Sequence, residues 1–544
     1  MEDAVARNPH LGAYLASLAA QGKPQPAWKP VMTRDLKAAK PLDFLYPVGD
    51  PIFVHLVKDG TSLFPRYYAI EPVLAPEEES TFEALKMQVF LRAPEVAVPD
   101  EPAEYKDALG KLLDKILQGG GVTVGTGFRK KRVPVNGPLL EKLRYALFRD
   151  VVEHGPIEPV MRDTWIEDIN GLGMRNLHVV HKIFGMVDTN IKFRDLSHLD
   201  RWLETMGERM GRPISDSSPI VDGALPNGSR INVVYSDAVS KGGSSFTIRK
   251  FSDTPLPATQ LIAWGTWSAR IGAYLWLCLE NGMSVFVAGE TASGKTTTLN
   301  GILPFIKPRS KILTAEDTPE VLPPHANWQQ LITRDRGNKE SSVTMYDLLK
   351  AALRSRPNYV IVGEIRGAEG AVAFQAMQTG HPTMATFHAS SVGKLIQRFS
   401  SDPINVPLPF MDNLNVVLIQ MAVYVHGKML RRVLAVEEIE GYSKRTKSVI
   451  TRQVFAWDPV SDKFQFSGRN NSYVLENLVA EKMGFKDKRA IYAELDKRTA
   501  ILEEFARRKE FDYHRMARFF QEYAEKGDAV LPFRIEEAMA SHSR

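Results

Sequence analysis

The stretch Gly289-Glu-Thr-Ala-Ser-Gly-Lys-Thr296 constrains this chain more than any other. It fits G-x-x-x-x-G-K-[ST], a loop whose backbone wraps round a phosphate. Ser284-Val-Phe-Val-Ala288 before it reads as a short buried strand, and Lys295-Thr-Thr-Thr-Leu-Asn-Gly-Ile-Leu303 after it reads as a helix start. The glycines remove the Cβ atoms that would block close approach. The loop N–H groups and the positive end of the helix then face an anion. Gly289, Thr291, Ala292, Ser293, Gly294, Lys295, Thr296 and Thr297 form the expected cradle. Lys295 is expected to reach the β- and γ-phosphates, and the Thr296 hydroxyl to ligate Mg²⁺.

At 544 residues the chain has room for about three or four domains. A net charge of +5 is mild for that length. It does not point to a dedicated nucleic-acid binder, whose basic residues form a stripe. It is compatible with an anionic membrane surface. The single cysteine, Cys278, can form no intrachain disulfide and reads as a small buried hydrophobe. No stretch reaches the ~18 apolar residues of a membrane span. Met1-Glu-Asp-Ala lacks the basic region and apolar core of a signal peptide. The expectation is a cytoplasmic protein that docks on a membrane partner.

Residues 1–60 are Pro- and Lys-rich, with one short helix over 11–18, and read as a flexible amino-terminal arm. An α+β domain is expected over 61–250. It holds a strand over 66–74, a helix from Ser80 or Thr81 to Arg92, and a helix over 104–117 ended by Gly119-Gly-Gly121. Arg129-Lys-Lys-Arg132 reads as a solvated basic run. A helix over 138–153 sets Leu139, Leu143, Leu147 and Val151 on one face. Another over 197–210 takes Ser197 as its N-cap. His178 and His181 read as strand residues, because no Cys or acidic partner has ligand spacing. A stiff, two-proline linker follows over 251–258. Beyond it, strands alternate with helices over 259–445, which implies a parallel sheet with helices on both faces. Residues 446–544 read as a mostly helical extension.

Lys311-Ile-Leu-Thr-Ala-Glu316 and Asn358-Tyr-Val-Ile-Val-Gly-Glu364 are buried-strand patterns ending in carboxylates. Ligands bind beyond the carboxyl ends of such strands, which aims both acids at the phosphate loop. A generic Walker B strand ends in Asp. Here Gly363 holds that place, Glu364 follows, and Arg366 is close by. Thr379-Gly-His-Pro-Thr-Met-Ala-Thr-Phe-His-Ala389 adds two histidines. A Gly-Glu strand end, the acidic Glu316-Asp317 and this histidine stretch resemble the secretion ATPase superfamily, the motors of type II and type IV secretion and of type IV pili. Pro219-Ile-Val-Asp-Gly-Ala-Leu-Pro-Asn-Gly-Ser-Arg230, Phe246-Thr-Ile-Arg-Lys-Phe251 and Ser472-Tyr-Val-Leu-Glu476 resemble the archaeal branch, most of all the motors of the archaellum. The resemblance runs from about residue 140 to 525.

That resemblance implies an α/β fold, a RecA-like P-loop NTPase domain preceded by the α+β domain and followed by the helical tail. It implies ATP and Mg²⁺ as cofactors. Glu364 would polarise or position the attacking water, and Glu316 would help hold Mg²⁺ or water. His388 would sense the γ-phosphate, with His381 supporting the turn. Arg230 and Arg249 would close over the γ-phosphate. Phosphoryl transfer asks for such positioning and such cations. The implied partners are a homo-hexamer, a polytopic membrane platform protein and a cytosolic regulatory ATPase of the same machine, with no specific nucleic acid. The implied place is the inner face of the cell membrane. The implied output is assembly or rotation of a type IV pilus-like filament, the archaellum. Type IV pilus assembly and type II-like secretion are the alternatives. A RecA-like helicase or DNA translocase and a scaffold that binds ATP without turnover stand behind them, since fold alone does not separate functions.

Overall fold

The computed structural model describes every residue except 34, 35, 38, 59, 61, 97–103, 119, 120, 125–130, 136, 252, 253, 335–341, 426, 427, 543 and 544. The chain divides into two compact units, residues 1–251 and 252–544. Gly119, most of the 94–102 break, Arg129 and Lys130 of the basic run, and two linker residues lie outside the described residues.

The first unit is built on a ten-stranded sheet. Its last six strands are Gly185–Thr189, His178–His181, Ile166–Leu172, Ser245–Arg249, Arg230–Val234 and Ile220–Ala224, in spatial order. The first four come from residues 1–70, which corrects the expectation of a flexible arm. Asp43–Pro47 and Phe53–Val57 pair antiparallel, and the helix Pro9–Ala20 packs on them through Leu11. Phe44 and Tyr46 enter one core while Leu45 and Phe53 enter another. A strand buried on both faces shows no polar alternation, so only a short apolar run marks it. The helices Pro76–Arg92, Glu104–Leu117 and Gly137–Val151 form a lobe with its own core around Leu85, Leu113 and Leu143. The helix Leu196–Arg209 begins one residue before Ser197. Its N-cap is Asp195, whose carboxylate accepts from the His198 N–H at 2.7 Å. Carboxylate and hydroxyl caps are near equals, so composition did not choose between them.

The second unit carries a nine-stranded sheet. Its order is Trp328–Ile332, Ile312–Glu316, Tyr359–Ile365, Thr383–Phe387, Val285–Gly289 and Val416–Val425, all parallel, then the antiparallel Lys428–Ser443, Ser448–Asp458 and Lys463–Phe466. Val285 and Val287 enter one core, and Phe286 and Ala288 enter the other. This double burial explains the continuous apolar run before the phosphate loop. Residues 446–544 are no separate tail. They finish the sheet with two strands, and the helices Ile491–Arg507 and Tyr513–Lys526 cover one of its faces through Leu495, Leu502 and Phe520.

Candidate active site

The phosphate loop joins Val285–Gly289 to the helix Lys295–Ile302. Ala292 and Gly294 take left-handed backbone, with φ of 60° and 90°. Such turns aim successive N–H groups into one concavity, as an anion requires. A β-carbon on Gly289 would stand 2.0 Å from the Gln420 carbonyl oxygen and 2.7 Å from Ser293 Oγ. One on Gly294 would stand 2.9 Å from Gln420 Nε2. A side chain at either position would collide with the residues that brace the loop, so both positions require glycine. Two residues absent from the sequence reading brace it. Gln420 Nε2 donates to the Ser293 carbonyl at 2.9 Å, and Arg431 Nε donates to the Ala292 carbonyl at 3.3 Å. They stand 127 and 139 positions along the chain, and neither has a local signature.

Lys295 Nζ donates to the Glu290 carbonyl at 2.9 Å. Burial lowers its pKa from the ordinary lysine value, and the charges of Glu364 and Glu320 oppose that shift. Glu320, four residues after Glu316 in the same acidic stretch, is a carboxylate that the sequence reading did not single out. Glu316 itself turns inward and is 1% exposed. Its Oε1 accepts from the backbone N–H groups of Glu320 and Val321, each at 2.8 Å, and its Oε2 accepts from Gln330 at 3.3 Å. Burial pushes its carboxyl up to about 7. The expectation that Glu316 holds Mg²⁺ or water thus falls on a buried carboxylate whose Oε1 is engaged by the following turn and whose Oε2 meets Gln330. Glu364 is bound by Arg366, whose Nε and Nη2 donate to one carboxylate oxygen at 2.8 and 2.5 Å. Arg366 also reaches Asp317 at 3.6 Å.

The strand Thr383–Phe387 lies between the phosphate-loop strand and the Glu364 strand. His388 follows its carboxyl end, and its Nε2 is 3.4 Å from Thr291 Oγ1. His381 precedes its amino end. It sits in the turn after the helix Glu369–Gln378, with Nδ1 3.1 Å from Thr379 Oγ1 and its N–H donating to the Ala376 carbonyl at 3.0 Å. Seven residues of extended chain separate it from His388 by up to ~23 Å.

Arg230 and Arg249 belong to the first unit. They are direct partners across an antiparallel pair. Arg230 makes a two-pronged pair with Asp222, at 3.2 and 2.6 Å. Arg249 is exposed and faces Asp168, its partner on the next strand.

The family model described as "Type II/IV secretion system protein" matches residues 150–436, and the chain belongs to that family. The matched span contains every residue placed at the site above. Among its relatives, the uncharacterized protein MJ0900 of Methanocaldococcus jannaschii is 52% identical over 547 residues, 98% of each chain. The type IV secretion system protein PtlH of Bordetella pertussis is 31% identical over 233 residues, 38% of this chain and 67% of PtlH. Among solved structures, the pilus retraction motor PilT with bound ADP is 18% identical, over 62% of this chain and 88% of that one. The TM-score is 0.39. Among the described residues, no helix is long and apolar enough to cross a membrane.

Proposed function

We propose that this chain is a RecA-like motor ATPase that binds MgATP at the phosphate loop, hydrolyses it, and works as a homo-hexamer on a membrane platform protein. The observation that carries the reading is the glycine-shaped cradle, in which Lys295 feels the charges of Glu364 and Glu320. A cation for the β- and γ-phosphates next to acids that orient water is what phosphoryl transfer uses. Lys295 and Thr296 hold the phosphates and the metal. Mg²⁺ would neutralise charge that builds on the bridging and γ oxygens. Glu364, with Glu320, orients the water. His388, next to Thr291, responds to the γ-phosphate. Arg230 and Arg249 supply further cations to it.

The name of the family and that of PtlH support a secretion machine. The stretches that resemble the archaeal branch favour the archaellum, with pilus assembly or secretion as the second reading. The test is phosphate release from MgATP by the purified full chain, with Lys295→Ala alongside. Release by the wild type and loss in the variant are expected. A wild type without turnover would sink the reading, and a rate raised by DNA would favour a translocase.

A further inference from the structure

The hairpin that braces the phosphate loop continues past it. Val416–Val425 runs parallel to Val285–Gly289, with Gln420 opposite Gly289, the last residue of that strand. At ~3.3 Å per residue, Ala422 and Tyr424 lie ~7 and ~13 Å further out. Arg431 pairs with Ala422, and Met429 with Tyr424. Alternate residues of a strand share a face, and so do directly opposed partners. Gln420 and Arg431 both reach the loop, at the Ser293 and Ala292 carbonyls. Ala422, Tyr424 and Met429 therefore stand on that same face. Arg432 confirms the alternation, since it points the other way, buried against Asp462 and the Trp264 carbonyl. Tyr424 is 78% exposed and Met429 51%.

A nucleotide in this loop would have a direction. Thr291 Oγ1 is 3.4 Å from His388 Nε2, and Lys295 feels the charges of Glu364 and Glu320. These partners belong to one flank of the loop strand, where Thr383–Phe387, Tyr359–Ile365 and Ile312–Glu316 follow in order. The γ end faces that flank. The α-phosphate, ribose and base then leave by the other flank, where the hairpin is the next element.

We infer that Tyr424, with Met429 beside it, is the shelf on which the nucleobase stacks. Ala422 leaves room for the ribose, and Arg431 lies between shelf and loop on the α-phosphate side. This rests on the reading of the loop as a nucleotide site. A π-face accepts any base, so the shelf adds affinity without choosing between purines. The Met429 thioether adds a polarizable contact of the kind that suits aromatic rings.

The test compares Mg²⁺-supported binding of ATP, GTP and inorganic tripolyphosphate to the full chain, as wild type, Tyr424→Ala and Tyr424→Trp. Tyr424→Ala should raise the Kd for ATP and GTP about tenfold, the loss of one stacked base. Tripolyphosphate, which has no base, should bind both forms alike. Tyr424→Trp should restore ATP binding. An exposed side chain is removed, so the melting temperature should hold. Equal weakening of all three ligands, or unchanged ATP binding, would overturn the shelf. So would unchanged ATP binding with loss of oligomer size, which would place Tyr424 against a second copy. A wild type that binds none of the three would overturn the phosphate-loop reading, and the shelf with it.

Discussion

Gly363 and Glu316 compete for one volume: a β-carbon on Gly363 would stand 3.0 Å from Glu316 Cγ and 3.4 Å from its Oε1. An aspartate at 363, the generic Walker B residue, would press a second carboxylate onto one that is already buried. Like charges in one dry site cannot both ionise without cost. The acid therefore appears one residue later, as Glu364. Gly363→Ala should cost about 1–3 kcal/mol, as overpacking does, and Gly363→Asp should cost more. Thermal melts of the two variants check this. An aspartate variant that melts like the wild type would refute the steric account.

Glu316 also predicts a pH effect. Burial raises its carboxyl from the ordinary 4.5 to about 7 in the folded chain. Between those values the unfolded chain has lost the proton and the folded chain has kept it. Stability therefore falls as pH rises through that window, and is level above it. The contribution is on the order of 3 kcal/mol. Glu316→Gln keeps an acceptor for the Glu320 and Val321 N–H groups but has no proton to lose. Measured without Mg²⁺, its melting temperature should gain on the wild type between pH 5 and pH 8. A constant difference across that range would show that Glu316 ionises freely.

Three glutamine variants separate the acids. Glu364→Gln should still bind MgATP, while turnover falls at least ~100-fold, the lower range for a positioned acid or base. Glu320→Gln should fall likewise. Glu316→Gln should keep most of its turnover at neutral pH, because that carboxylate faces backbone N–H groups. Steady-state kcat and equilibrium ATP binding are the measurements. The roles reverse if Glu316→Gln is dead and Glu320→Gln is active.

Signals confined to a short span were legible. The phosphate loop announces itself because strand, loop and helix succeed one another within about twenty residues, and each has its own residue chemistry. Gln420 and Arg431 were illegible for the opposite reason. They reach Ser293 and Ala292 only through sheet pairing, and an amide or a guanidinium in a strand has many uses. The strand-end rule aimed Glu316 at the correct edge of the sheet. It could not say that the following turn would present two N–H groups and draw the carboxylate inward. Residues 1–60 misled because Phe44 and Leu45 enter different cores. Strands of that kind lack the alternation that marks a half-buried strand.

The pairing of Arg230 with Arg249 yields the last prediction. Like charges directly opposite on adjacent strands destabilise a sheet, by a few tenths of a kcal/mol to about 1. Asp222 offsets this for Arg230, and Asp168 faces Arg249. The proposed function gives both cations a second use, since a planar five-donor cation suits the oxygens of a γ-phosphate. Arg249→Gln removes the charge and keeps much of the stem. Its melting temperature should equal or exceed that of the wild type. Its MgATP turnover should fall by about 10³ or more, the scale of arginine cations in phosphoryl transfer. Arg249→Lys should stay low as well, because a point charge lacks the fork. A fall in turnover that tracks a fall in melting temperature would mean that the pair serves the sheet. Full turnover in Arg249→Gln would remove Arg249 from the chemistry.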